Sequence, residues 1–201
     1  MLGECQLFTR TESFQQFIRF YPAVSVLTAI CMFLFIITSL PLFPDRDLYT
    51  LLSGVNLFIA EGEYWRLVTP IFLHIGVAHL LFNCFTLILI GPGLETMLGS
   101  FRFMLLFLLS GILANVLTYF TEPLMYAHVG ASGSIYGLFG CYAYMIFFRK
   151  DLLSPQNSQV ILILIIIGLV MSFLQSSINI TGHIGGLIIG FALSRILLTN
   201  R

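Results

Sequence analysis

Two polar side chains in otherwise apolar segments have the chemistry of a nucleophile and its base. Ser132 lies in the small-residue stretch 130–137, at the head of one long apolar segment, and His183 lies near the start of another. A hydroxyl in hydrophobic surroundings is unfavourable unless it is hydrogen-bonded or has a function. Imidazole can take a proton from serine because its ordinary pKa lies near neutral pH. The two residue types therefore predict a serine nucleophile, Ser132, with His183 as its general base.

Helical geometry separates the two hydroxyls of this stretch. At 3.6 residues per turn, Ser132, Tyr136 and Gly140 share one face, whereas Ser134 lies about 200° from Ser132. Glycines spaced four apart allow two membrane helices to approach closely. The glycines predicted to form this contact are Gly133, Gly137, Gly182, Gly186 and Gly190. Packing through them would bring the His183 imidazole within hydrogen-bond reach of the Ser132 hydroxyl.

His79 and Asn83 are the predicted donors to the negative charge that develops on a substrate carbonyl oxygen. They are four residues apart and share a helix face. With the backbone N–H of Ser132 they would form an oxyanion hole, in which each donor contributes about 3 kcal/mol in the transition state. His74 would be turned about 140° away from His79 on the same helix. A polar role in the cavity and a structural hydrogen bond near the site both stay open for His74.

The composition of the chain indicates a membrane protein. Of its 201 residues, 58% are hydrophobic and 9% are charged, and the mean hydropathy is +0.99, whereas soluble domains carry about 25% charged residues. The apolar runs also approach the ~20 residues that a helix needs to cross a bilayer. We therefore predict an all-α, polytopic bundle. Its six spans are expected at about 22–40, 68–90, 103–120, 132–148, 160–174 and 180–198.

The segments outside the spans suggest a short lead and one domain. Residues 1–20 are predicted to be a cytoplasmic amphipathic segment, and residues 21–201 a six-span domain. The first loop, 43–66, mixes charged and apolar side chains. We expect it to be partly embedded in the membrane, with Tyr64 and Trp65 at the level of the headgroups.

The residues after the second span limit what can orient His183. The Gly-Pro-Gly sequence at 91–93 is predicted to end that span, which leaves Glu95 and Arg102 in the connection that follows. The second to sixth predicted spans then contain no acidic residue. We therefore predict a Ser-His dyad rather than a triad, with His183 oriented by packing and Tyr136 as the nearest candidate.

Basic residues determine the predicted orientation, because Lys and Arg concentrate on the cytoplasmic side of membrane proteins. Six spans place both termini on one side of the membrane. The seven basic residues on that side are Arg10, Arg19, Arg102, Arg149, Lys150, Arg195 and Arg201, and the two on the other side are Arg46 and Arg66. Both termini are expected in the cytoplasm, with Ser132 and His183 toward the external ends of their spans.

Cysteine and histidine spacing argues against a disulfide framework and against a metal centre. The cysteines, at Cys5, Cys31, Cys84 and Cys141, are scattered without a C-x-x-C pair. The residues that could bind zinc are His74, His79, His183 and Cys84, but these histidines lack the usual i, i+4 spacing. We expect neither a metal nor an organic cofactor.

Taken in order along the chain, these residues form a set of motifs that resembles the rhomboid intramembrane serine proteases over nearly the whole length. The motifs are Trp65-Arg66 (W-R), His74, His79 and Asn83 (H-x4-H-x3-N), Gly93, Glu95, Gly99 and Ser100 (G-x-E-x3-G-S), Gly130-Ala131-Ser132-Gly133 with Tyr136 (G-x-S-G), and His183, Gly186 and Gly190 (H-x2-G-x3-G). A lone G-x-S-G is a weak signal, whereas the ordered set is highly specific.

The resemblance implies roles for these residues and a setting for the reaction. It makes Ser132 the nucleophile, His183 the general base, and His79 with Asn83 the oxyanion stabilisers. It makes Trp65, Arg66 and Glu95 structural supports. The family also implies a partly embedded first loop and a water-filled cavity that opens outward. The compact six-span form suggests a bacterial cell membrane, and the implied substrates are single-span membrane proteins.

Two other functions stay open at this point. A catalytically inactive rhomboid-like protein would bind membrane clients without cutting them, and a transporter or channel would conduct ions. Against the transporter, the predicted spans contain no charged residue apart from Arg195, near the end of the sixth, and no inverted repeat is evident. The expected partners are transmembrane substrates and the lipid bilayer, without nucleic acid, and the oligomeric state is left open.

Overall fold

The computed structural model describes residue 8 and residues 11–39, 48–175 and 178–198, which form helices and one short pair of strands. In chain order the elements are α1 (Phe14–Phe20), α2 (Pro22–Ser39), α3 (Leu48–Leu52), β1 (Gly54–Val55), α4 (Asn56–Ala60), α5 (Gly76–Leu98), α6 (Ser100–Thr121), β2 (Ala127–His128), α7 (Ser132–Phe148), α8 (Pro155–Leu174) and α9 (Ile180–Leu197). Two 3₁₀ helices, Tyr64–Leu67 and Thr69–Phe72, precede α5. Cys5, Arg10, Arg46 and Arg201, with the outer parts of the predicted lead and first loop, lie outside the described residues.

The prediction of an all-α polytopic bundle is confirmed. Within the described chain, α2, α5, α6, α8 and α9 are the five helices long and apolar enough to cross a membrane. A further apolar helix, α7, has 17 residues and coincides with the predicted fourth span. Its length corresponds to about 26 Å. Because α6 begins at Ser100, Arg102 lies inside this helix and not in the predicted connection.

The second span is displaced from its predicted position. We predicted a helix over 68–90 that ends at Gly-Pro-Gly, but α5 begins at Gly76 and continues through Pro92. The prediction was wrong at both ends. At the start, the apolar residues form the second 3₁₀ helix, which contains Pro70. At the end, proline removes one backbone donor from the helix, and the turn around it stays helical because every residue from 90 to 95 is buried against its neighbours.

The extension of α5 places Glu95 inside the bundle, so the prediction that the second to sixth spans lack an acidic residue was wrong. The Glu95 carboxylate accepts hydrogen bonds from the backbone N–H groups of Ala23 (2.8 Å) and Val24 (2.9 Å) and from the hydroxyl of Ser100 (2.7 Å). It therefore satisfies donors in the first turn of α2, which have no acceptor within that helix. At about 1.5 Å per residue, Glu95 is some 24 Å from His79 along α5, too far to act on the site.

The central contact of the bundle is the crossing of α7 and α9. A methyl group on Gly186 would overlap the carbonyl oxygen of Gly133, and one on Gly190 would overlap that of Gly137. Gly182 has a different role, because a methyl group there would lie 2.8 Å from the amide nitrogen of the side chain that caps α9. The absence of side chains lets the two backbones touch, so the start of α9 is held against the start of α7.

The first loop is folded around Arg66, which is buried. Its guanidinium donates to the carbonyl oxygens of Thr50 (2.6 Å) and Ser53 (2.7 Å) and pairs with Glu63 at 2.5 Å. The indole N–H of Trp65 donates to a carbonyl oxygen of α3. The pairing of β1 with β2 then connects this loop to the segment that leads into α7. The first loop is thus a folded support for the residues that precede Ser132.

Candidate active site

The helix α7 begins at Ser132, two residues after Gly130, where the backbone passes close to the His79 side chain. Gly130 has a φ of 127°, a conformation that favours glycine, and its N–H donates to the carbonyl oxygen of Pro70 at 2.8 Å. A Cβ atom on Gly130 would lie 2.7 Å from Nε2 of His79 and 3.7 Å from Oγ of Ser132. The half-buried Ser132 hydroxyl and the His79 ring therefore border the same small space beside Gly130.

His183 lies in the first turn of α9, buried between α7 and α8. The Tyr136 ring stacks on its imidazole, with centroids 4.2 Å apart and planes 19° apart. Its Nδ1 atom lies 2.7 Å from Oγ of Ser172 on α8. With Nδ1 engaged in this contact, Nε2 is the ring nitrogen left to act on another group.

Ser132 and His183 lie at the same end of the α7–α9 crossing. Each is next to a glycine of the contact, and a Cβ atom on Gly133 would lie 3.5 Å from the carbonyl oxygen of Gly182. Both residues belong to the first turn of their helices. The structure thus places the two residues that the sequence paired at the starts of adjacent helices.

His79 presents a donor toward this space. The backbone N–H of Ile75 points to its Nδ1 atom at 3.4 Å, so Nδ1 serves as the acceptor. In a neutral imidazole the other nitrogen then carries the proton. That nitrogen, Nε2, is the atom beside Gly130. The side chain of His79 can therefore donate a hydrogen bond to an oxygen bound near Ser132.

Asn83 and the start of α7 add further donors. Asn83 is buried one turn after His79 on α5, and its amide nitrogen donates to the His79 carbonyl oxygen at 2.9 Å. A second amide hydrogen remains on the same nitrogen. The N–H of Ser132 belongs to the first turn of α7, whose N–H groups have no acceptor within the helix and lie at the positive end of its dipole. These donors have the character of an oxyanion hole.

His74 is not on the helix where it was predicted. It lies before α5, so the expected turn of about 140° away from His79 does not apply, and the centroids of the two rings are 5.0 Å apart in an edge-to-face contact. Burial, followed by the nearby His79, lowers the pKa of His74 to about 4, which keeps it neutral. Neither ring nitrogen has a hydrogen-bond partner among the described residues.

Ser134 takes no part in this arrangement. Ser134 is buried on the α6 side of α7, where a methyl group on Gly111 would overlap its hydroxyl. Among the described residues, no group of three or more His, Cys, Asp or Glu side chains is arranged to hold a metal ion. The chemistry available at the site is that of hydroxyl, imidazole, amide and backbone N–H.

Sequence reasoning missed two residues close to the site. Ser172 contacts His183 from another span. The sequence feature that could have indicated Ser172 is its hydroxyl, one turn after Gly168 in an otherwise apolar run. His128 lies in β2, buried against Gly54, where a Cβ atom would come within 2.6 Å of its ring. No spacing rule singles out His128, because its burial depends on the pairing of β1 with β2.

Fold and site define a polytopic helical membrane protein with a serine and a histidine at a helix crossing and hydrogen-bond donors beside them. A family model described as Rhomboid domain matches residues 61–200. The chain belongs to the rhomboid family, and the resemblance drawn from its motifs is confirmed.

The relatives of the chain include bacterial and plant proteins. It is 48% identical over 188 residues to the putative rhomboid protease YdcA of Bacillus subtilis, covering 94% of each chain. It is 43% identical over 136 residues to the rhomboid protease GluP of the same organism, covering 68% of this chain and 26% of GluP. It is 34% identical over 142 residues to RHOMBOID-like protein 6, mitochondrial, of Arabidopsis thaliana, covering 70% and 46%.

Proposed function

We propose that this chain is an intramembrane serine protease that hydrolyses peptide bonds in or near the transmembrane segments of single-span membrane proteins. Its family, and the rhomboid protease names of its Bacillus subtilis relatives, support the protease activity. The main structural support for the mechanism is the crossing of α7 and α9, which holds Ser132 and His183 at the same end of the bundle.

The proposed reaction has two steps. Oγ of Ser132 attacks the scissile carbonyl while Nε2 of His183 takes the hydroxyl proton, and that proton then passes to the leaving amine. The N–H of Ser132, Nε2–H of His79 and the amide of Asn83 donate to the oxyanion. A water molecule, deprotonated by His183, then attacks the acyl carbon, the bond to Oγ of Ser132 breaks, and His183 returns the proton to that oxygen. This sequence of steps uses no metal and no organic cofactor.

The substrate must expose a peptide bond to Ser132. A membrane helix protects its own backbone through internal hydrogen bonds, so the segment that is cut must unwind locally. The excess of basic residues on the side of the termini supports cytoplasmic termini and a site toward the external face. The folded first loop, with exposed Tyr64 and Trp65 beside it, supports partial embedding of that loop in the outer leaflet.

Cleavage of a reporter tests the proposal directly. The purified chain, reconstituted in liposomes with a fluorogenic single-span reporter, is expected to cut it, and Ser132→Ala is expected to abolish cleavage. Ser134→Ala is the matched control, because it removes a hydroxyl two positions away that faces α6. A serine-directed fluorophosphonate should label the wild type and Ser134→Ala but not Ser132→Ala. Cleavage that survives in Ser132→Ala would exclude Ser132 as nucleophile.

The same preparation separates the alternatives. A reporter that co-purifies with the wild type but stays uncut, without fluorophosphonate labelling, would favour a protein that only binds membrane clients. Ion flux across the liposomes without cleavage would favour a transporter.

A further inference from the structure

We propose that Ser172 is a positioning residue that holds the His183 imidazole as the tautomer with its proton on Nδ1. The functional part of this inference rests on the proposed role of His183 as general base. The structural part concerns the hydrogen bonds of one buried hydroxyl and can be tested without any activity.

The Ser172 hydroxyl lies at a junction of three helices. It is 2.7 Å from Nδ1 of His183 on α9, 3.1 Å from the Tyr136 hydroxyl on α7, and 2.7 Å from the Gly168 carbonyl oxygen one turn back on α8. Ser172 is 1% exposed. In such surroundings a polar group is stable only when its hydrogen bonds are made.

The three contacts allow one consistent arrangement of protons. A serine hydroxyl has one hydrogen to donate and two lone pairs. The carbonyl oxygen of Gly168 can only accept, so the Ser172 hydrogen belongs to that contact. If Ser172 instead donated to His183, Oγ of Ser172 and the carbonyl oxygen of Gly168 would lie 2.7 Å apart without a proton between them. The Tyr136 hydroxyl and Nδ1 of His183 must therefore both donate to Ser172, which uses its full capacity.

This arrangement prepares His183 for the proposed reaction. A proton on Nδ1 leaves the lone pair of the neutral ring on Nε2, which is the form that can accept the Ser132 proton. When Nε2 takes that proton, Nδ1–H keeps Ser172 as its acceptor, so the charged ring retains a hydrogen bond. The stacked Tyr136 ring fixes the plane of the imidazole, and Ser172 fixes its rotation within that plane. A neutral hydroxyl thus takes the orienting role that a carboxylate has in a triad.

Gly168 makes the contact possible. A Cβ atom there would lie 2.7 Å from the Tyr136 hydroxyl, so a larger residue would separate this hydroxyl from α8. Most of α8 faces outward, and the buried positions among its described residues are Ile161, Ile165 and Ser172. Ser172 is therefore the polar link from α8 to the site.

Nitrogen NMR of the histidine side chains reports the tautomer directly. The full chain, labelled with ¹⁵N-histidine in detergent micelles, is measured at mildly alkaline pH, and His183→Gln assigns the His183 signals. The expected wild-type spectrum has a protonated Nδ1 and an unprotonated Nε2. Ser172→Ala should shift His183 toward a mixture of tautomers, whereas Ser172→Thr, which keeps the hydroxyl, should retain the wild-type pattern. A wild-type tautomer that persists in Ser172→Ala would overturn the proposal.

Kinetics test the consequence for the reaction. Ser172→Ala should lower kcat about tenfold, the effect of one lost hydrogen bond, with KM nearly unchanged, and Ser172→Thr should restore most of the rate. Ser158→Ala is the matched control, because Ser158 makes the same contact to the carbonyl oxygen one turn back on α8 at 3.0 Å. An unchanged kcat in Ser172→Ala would contradict the positioning role.

Further variants and outcomes separate the positioning role of Ser172 from the proposed protease function. If Ser172→Ala does not fold, Ser172→Cys preserves the volume while offering only a weak acceptor, and the same tautomer shift is expected. If the wild type shows the Nδ1–H tautomer but cuts no reporter and takes no fluorophosphonate, the proposed function fails and the assignment of Ser172 stands.

Discussion

The ring of Tyr136 lies nearly parallel to the imidazole of His183, with centroids 4.2 Å apart. The same tyrosine reaches α8 through its hydroxyl, 3.1 Å from Ser172. Tyr136 therefore contacts the His183 imidazole through the face of its ring and Ser172 through its hydroxyl. The stacking and the hydrogen bond can be separated by substitution.

Substitutions at Tyr136 should affect catalysis in graded steps. Tyr136→Phe keeps the stacked ring and loses one hydrogen bond, so kcat is expected to fall about tenfold or less. Tyr136→Leu also loses the flat surface that holds the imidazole plane, and a misplaced base should lower kcat about a hundredfold. Steady-state cleavage of the reporter measures both. Equal rates for the two variants would show that stacking does not orient His183.

The proposed oxyanion donors, His79 and Asn83, are tested by the loss in kcat that their removal should cause. His79→Ala or Asn83→Ala each removes a donor to charge that develops in the transition state, so each is expected to lower kcat by about 10²–10³ with little change in KM. Phe82→Ala is a suitable control, because this side chain is 74% exposed on the same helix. A rise in KM at constant kcat would instead assign these side chains to substrate binding.

The helices that carry the proposed nucleophile and base could be predicted from the sequence. The apolar runs of α7 and α9 predict both helices, and both start where expected, at Ser132 and Ile180. The second span could not be placed in this way. Its apolar pattern begins early, in residues that form 3₁₀ helices, and its end depends on contacts of Glu95 with the distant α2.

Contacts between distant segments account for what was missed near the site. The Ser172–His183 hydrogen bond joins two different helices, and periodicity within one helix carries no information about it. The burial of His128 likewise follows from its pairing with Gly54, which is far away in the sequence. Glycine spacing suggested which helices touch, but the partner of each hydroxyl depends on how those helices are rotated.

Glu95 should be important for stability and not for chemistry. Glu95→Ala leaves two backbone N–H groups of α2 and the Ser100 hydroxyl without their acceptor, so the free energy of unfolding is expected to fall by about 3 kcal/mol or more. Unfolding in a denaturing detergent, followed by circular dichroism, measures this change. Because Glu95 is some 24 Å from His79 along α5, the folded fraction should react with fluorophosphonate at the wild-type rate. A folded variant that no longer reacts would contradict a purely structural role.

His128 should make stability depend on pH on the acidic side. Burial lowers the pKa of His128 from 6.5 to about 4, so between these values the unfolded chain binds the proton more readily than the folded one. Above about pH 6.5 His128 is neutral in both states and does not lower the free energy of unfolding. As the pH falls toward 4, this free energy decreases by up to about 3 kcal/mol.

The comparison that isolates His128 is the unfolding temperature of the wild type and His128→Phe across this range. The ring of Phe fills a similar space beside Gly54 but does not titrate, so the variant should lose less stability on acidification. Tyr126→Phe is the control, because Tyr126 stacks near His128 at 6.2 Å and its removed hydroxyl does not titrate at acidic pH. Parallel curves for the wild type and His128→Phe would mean that His128 takes up its proton equally well in the folded chain. A smaller slope in His128→Phe alone would identify the β1–β2 pair as an acid-sensitive support of the segment that leads to Ser132.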